Sequence, residues 1–253
     1  MNDSKLYKFK NKRCWWGAIW PCLVYLGSSI LISIIAVIII TIINIKDINK
    51  ITAMANDATF NIIITIIVQL VSLAVFLPVY IHNKKKNYQT PENKPNIKMI
   101  ILSIFVILLV GNVCDLLLDG FTRITHFEDP LYKIVDNIIG EAPLYLNIIS
   151  VVILAPIVEE LMLRGLGLNS FLSEKNYKTS IILSALIFGL IHFDFGSIGT
   201  STFGNEMLNL PDYVIAGLAL SFIYDKYGLA ASFTTHAANN LFSVISILLT
   251  QNT

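Results

Sequence analysis

Long apolar runs separated by short polar connections set the pattern of this chain. The runs are Cys14–Ile45, Ala58–Ile81, Met99–Leu118, Ala142–Val158, Thr179–Phe193, Tyr213–Tyr224 and Tyr227–Thr250, and most charged residues fall between them. About 20 apolar residues rising about 1.5 Å each cross a bilayer core, so the longer runs predict membrane-spanning helices, and the shorter ones must continue through polar neighbours to cross. The pattern therefore predicts an all-α protein, a polytopic transmembrane helical bundle of about seven to eight helices. The first run holds no charged residue and is longer than the roughly 7 to 15 residues of a signal h-region, so it predicts a retained span.

Composition agrees with this pattern. Of 253 residues, 55% are hydrophobic and 14% charged, against about 25% charged in soluble domains. The net charge of +1 gives no global field toward nucleic acid, so the expected partners are membrane lipid and whatever the site binds. Cys14, Cys22 and Cys114 show no CxxC spacing and predict no disulfide or metal role.

Basic residues set the topology, because cytoplasmic loops are enriched in lysine and arginine. The amino-terminal Lys5, Lys8, Lys10, Lys12 and Arg13, and later Lys84, Lys85, Lys86, Lys94 and Lys98, predict inside segments. The balanced Lys46–Asp57 and the acidic Asp119–Glu141 predict outside ones, with an amphipathic piece around Pro130 lying on the outer surface. The amino terminus is then cytoplasmic, in a membrane expected to be the bacterial plasma membrane. Residues 1–141 form amino-terminal spans, and residues 142–253 form a carboxy-terminal core holding the chemistry. Ser173–Lys178 predicts an inside turn, and Phe193–Leu210 an irregular outer connection or re-entrant loop.

The costliest feature lies in that core. Glu159, Glu160 and Arg164 interrupt an apolar stretch, and a charge at the centre of a membrane helix costs roughly 2.5–3.5 kcal/mol on insertion scales, so such residues mark function. Glu160 and Arg164 are four apart and share a helix face, which predicts an ion pair. Glu159 points about 100° away and is left free. Glu159 precedes Lys175 of the predicted inside turn, and His192 follows Tyr177, by nearly the same length of chain. An antiparallel hairpin places both at similar depth, roughly 20 Å by helical rise. His236 and Asn240, again four apart, follow Gly228 by about two and about three turns of helix.

A glutamate kept out of water suits general-base work near neutral pH, and His192 can share the proton transfers. His236 and Asn240 offer donors for a carbonyl oxygen as it becomes an oxyanion, worth about 2.7–4 kcal/mol per donor. These parts suffice for peptide hydrolysis without a serine or cysteine nucleophile. Singly, each has a structural alternative: carboxylates snorkelling to headgroups, a histidine in an interhelical hydrogen bond, Phe188 in packing.

Together, Glu159-Glu160-x-x-x-Arg164, Phe188-x-x-x-His192 and His236-x-x-x-Asn240 resemble the motif set of the CPBP family, which contains CAAX prenyl endopeptidases and Abi-type, bacteriocin-processing and immunity-associated intramembrane proteases. The resemblance covers roughly Pro143 to Leu249. It implies that Glu159 activates water with His192, that Glu160 and Arg164 support the site with Phe188 packed around it, and that His236 and Asn240 stabilise the oxyanion. Two mechanisms stay open, a metal-free one and a metalloprotease one with Glu159, His192 and His236 as zinc ligands. The substrate implied is a peptide or small membrane protein, prenylated or not. The competing classes are a non-proteolytic membrane partner, such as an immunity or sensor-regulating protein, and, more weakly, a transporter. Oligomeric state is not legible in the sequence.

Overall fold

The computed structural model describes residues 15–86, 142–169, 177–200 and 203–250, with parts of a further helix between 97 and 116. Among them every regular element is helical. Helix α1 (Trp15–Ile43) and α3 (Ala58–Lys86) are joined through the short α2 (Ile48–Ala55). Two aspartates fix the starts of these elements: Asp47 accepts the Lys50 N–H at 3.2 Å, and Asp57 accepts that of Phe60 at 2.7 Å. The carboxy-terminal core is built from α4 (Leu144–Leu168), α5 (Tyr177–His192), α6 (Phe203–Tyr227) and α7 (Leu229–Thr250). Gly228, at φ +84°, alone separates α6 from α7, a left-handed position that favours glycine.

Helix α4 forms the centre. Its Val158, Leu161, Met162 and Leu166 pack in one apolar core with Phe76 and Tyr80 of α3, Phe188 of α5, Leu220 and Ile223 of α6, and Ala231 of α7. The helix is not uniform. Ala155–Glu160 is α-helical, while Ile148–Leu154 before it and Leu161–Leu168 after it are wound as π-helix, with i→i+5 bonds. π turns are rare and cluster at functional sites.

Among the described residues, three segments have the length and apolarity to cross a bilayer: Ile19–Ile43, Ala58–Lys84 and Leu144–Leu168. The other expected spans differ for a physical reason. Helices α6 and α7 run 25 and 22 residues, long enough by rise, but polar residues such as Asn209, Asp212, Thr235, His236 and Asn240 interrupt their apolar character. The apolar run Ala142–Val158 continues as helix through the charged residues to Leu168. The irregular connection expected over Phe193–Leu210 is shorter than that reading. It ends before Phe203, where α6 already begins, and Glu206 in the first turn of α6 accepts the Asp194 N–H at 2.9 Å. The expected outer amphipathic segment, the basic amino-terminal residues and most of the Ser173–Lys178 turn lie outside the described residues, as does part of Met99–Leu118.

Candidate functional site

The two adjacent carboxylates of α4 have different surroundings. Glu160 is wholly buried and fully engaged. Its Oε1 accepts from Arg164 Nη1 at 2.8 Å and from His236 Nδ1 at 3.1 Å, and its Oε2 accepts the Ser232 hydroxyl. Arg164, also wholly buried, uses Nη2 to donate to the Gly217 carbonyl at 2.8 Å, and its guanidinium lies 4.9 Å from the centroid of the Phe188 ring. The pair thus links α4 to α5, α6 and α7. The i,i+4 spacing that predicted it also leaves the neighbouring residue on another face.

That neighbour is Glu159. Its Oε2 is buried and has no hydrogen-bond partner. It stands 3.6 Å from His192 Nε2 and 3.8 Å from His236 Nε2. Both imidazoles are held from behind. His192 Nδ1 lies 2.8 Å from the Phe188 carbonyl, which can only accept, so Nδ1 carries the proton and Nε2 faces Glu159. His236 Nδ1 is held by Glu160 in the same way. Glu159 and His192 thus meet at one depth, and α4, α5 and α7 each deliver one group to one point.

Of the three side chains His192 is the most exposed, at 28% against 5% for His236 and 11% for Glu159. The imidazole there is stacked by two rings, Phe188 at 4.4 Å and Tyr213 at 5.2 Å, each inclined by about 30°. Phe188 also meets the His236 ring edge-on at 5.5 Å, so it contacts the guanidinium and both histidines.

Asn240 is placed differently from the other predicted residues. Its Nδ2 donates to the Val151 carbonyl at 2.8 Å, in the π-wound part of α4. At the preceding residue, Gln69 of α3 donates to the Ser150 carbonyl at 3.3 Å and accepts from the Ser150 hydroxyl at 3.2 Å.

Glu159, His192 and His236 are the set a zinc mechanism would use. A tetrahedral zinc with bonds of about 2.0–2.1 Å draws its ligands to about 3.4 Å from one another. The two separations here are wider, and among the described residues no group of three His, Cys, Asp or Glu is arranged to hold a metal ion.

Sequence reasoning missed Ser232, Tyr213 and the Gly217 carbonyl. Ser232 had a legible signal, since it stands four residues before His236 on the face that Asn240 shares. Tyr213 and Gly217 had none, because they are brought in by the packing of α6 on α5.

Residues 141–242 match the family model described as type II CAAX prenyl endopeptidase Rce1-like. The chain is also similar to an uncharacterized protein of Mycoplasma capricolum subsp. capricolum, at 33% identity over 105 residues. That alignment takes in 41% of this chain and 28% of the relative, so the chain spans little more than a quarter of its length. No solved structure matches.

Proposed function

We propose, from the match of residues 141–242 to the Rce1-like type II CAAX prenyl endopeptidase model, that this chain is an intramembrane endopeptidase hydrolysing a membrane-associated or prenylated peptide. The observation that carries the reading is the unpartnered, buried Glu159 Oε2 close to two imidazole nitrogens.

Glu159 is the general base. A water held between its carboxylate and His192 loses a proton to Glu159 as its oxygen attacks the peptide carbonyl carbon. His236, protonated at both nitrogens with Nδ1–H on Glu160, presents Nε2–H to the developing oxyanion. The tetrahedral intermediate collapses by breaking the C–N bond. The proton on Glu159 passes through His192 Nε2 to the leaving amine, which restores the carboxylate. Glu160 and Arg164 orient His236 and α4 and do not touch the reacting atoms. Phe188 fixes both rings.

The protein is integral to the membrane, and its basic loops support an inside amino terminus in a bacterial plasma membrane. Its partners are membrane lipid and the peptide substrate.

Comparative peptidomics of cells carrying wild-type or Glu159→Gln protein tests this. Peptide products should disappear in the variant while the protein stays inserted at normal abundance. Unchanged products, or an unchanged cellular phenotype in the absence of cleavage, would leave a non-proteolytic membrane partner instead. A parallel arm with a zinc chelator should leave the products in place, and their loss on chelation, restored by zinc, would make Glu159, His192 and His236 metal ligands.

A further inference from the structure

Asn240 offers a further reading that rests on the proposed proteolytic site and concerns how its geometry is kept. In the turn before the paired carboxylates, the Ala155 N–H donates to the Ser150 carbonyl, an i→i+5 bond. The next carbonyl, Val151, would take its π bond from residue 156. That residue is proline and has no N–H. Val151 is therefore left with a carbonyl that neither the α nor the π pattern serves, in a helix crossing lipid where no bulk water can replace the donor. The Asn240 amide fills that place at 2.8 Å from another helix.

We propose that Asn240 is a positioning residue that replaces the N–H missing at Pro156, holds the π turn of α4, and thereby sets the direction in which Glu159 points. The link to Glu159 is one of helical phase. A π turn takes in about one residue more than an α turn, so tightening it to α would rotate everything beyond it by about 100°. That is also the angle between adjacent residues. Loss of the turn would move Glu159 off the two imidazoles and turn the face that Glu160 now presents to Arg164 and His236. Gln69 of α3 bonds the neighbouring Ser150 carbonyl of the same turn.

The test couples positions 156 and 240. Asn240→Ala should lower the thermal midpoint of the substrate-free protein in detergent by about 2–10 °C and cut the Glu159-dependent peptide products by about tenfold or more. Pro156→Ala returns a backbone N–H at residue 156. In that background Asn240→Ala should cost less than half as much in midpoint, and the products should recover toward the level of Pro156→Ala alone. Rescue of both would not follow from an amide acting on the substrate. Equal midpoint losses with and without Pro156 would overturn the proposal, as would thermal rescue without recovery of products. Should Pro156→Ala itself lose activity, the midpoint coupling still decides. Because that measurement needs no substrate, its failure is distinct from failure of the proteolytic reading, which Glu159→Gln tests.

Discussion

Helices α1 and α4 contain apolar stretches of equal length, 25 residues each, and have opposite environments. In α1, 11% of the apolar window is buried inside the protein; in α4 the share is 50%. The side chains of Ile30, Leu31, Ile34 and Val37 in α1 stand exposed, whereas Leu161 to Leu168 in α4 are all buried. Lipid tails are as apolar as leucine, so a lipid-facing helix is constrained for little beyond greasiness and length. Helix α4 is constrained by named partners on four neighbouring elements: Gln69 of α3, Phe188 of α5, Gly217 of α6, and Ser232, His236 and Asn240 of α7. Apolarity is thus the common requirement for crossing, and the departures from it record where the molecule does something else.

The strongest break of this contrast comes from the buried ion pair. Glu160→Ala or Arg164→Ala leaves the remaining charge unpaired in the centre of the bundle, and such a loss costs about 3–5 kcal/mol. At about 2–4 °C per kcal/mol for a chain of this size, the thermal midpoint in detergent should fall by roughly 6–20 °C. The deficit should appear in substrate-free protein and should exceed that of Glu159→Gln, whose carboxylate has no hydrogen bond at Oε2 to lose. A Glu159→Gln protein less stable than Arg164→Ala would reverse the roles assigned to the two carboxylates.

Much of the site was legible because helical spacing is a rigid rule. The Glu160–Arg164 pair, the separate direction of Glu159, and the equal depth of Glu159 and His192 all follow from the regular pitch and rise of the α-helix. The all-α class followed from the apolar runs. What the spacing could not convey was local departure from that helix. The first π segment of α4 receives Gln69 at Ser150 and Asn240 at Val151 from distant parts of the chain, so Asn240 looked equivalent to His236 on α7 although its amide is spent on Val151. The start of α6 was obscured by Asp194, Gly196, Gly199 and Gly204, which read as an irregular connection, although Glu206 in its first turn bonds the Asp194 N–H. Tyr213 entered only through tertiary packing.

A smaller effect is expected where α6 meets α5. A Cβ at Gly217 would lie 3.0 Å from Ala185 Cα, 3.0 Å from Phe188 Cβ and 3.1 Å from the Ala185 carbonyl, and two of those three atoms are backbone. Gly217→Val must therefore push α6 away from α5, moving the carbonyl that receives Arg164. Overpacking of this kind costs about 1–3 kcal/mol, which thermal unfolding should show as a drop of roughly 2–12 °C. Because the same shift loosens Phe188 against His192, peptide products should fall with it. A Gly217→Val protein with wild-type midpoint and products would mean that the helices do not need this close approach.

The smallest effect, and the one of opposite sign, is expected on α1. Gly27 lies within that helix, and a Cβ there would meet nothing within 4 Å. Glycine in a helix interior is about 0.5–1 kcal/mol less favourable than alanine, because it gives up more backbone freedom on ordering. Gly27→Ala should accordingly raise the thermal midpoint by about 1–4 °C, with peptide products unchanged. The same substitution at Gly217 should lower both. If Gly27→Ala were as harmful as Gly217→Ala, the exposed face of α1 would be occupied in the membrane by something that needs a close backbone approach, and the contrast between the two helices would no longer be one of lipid against protein.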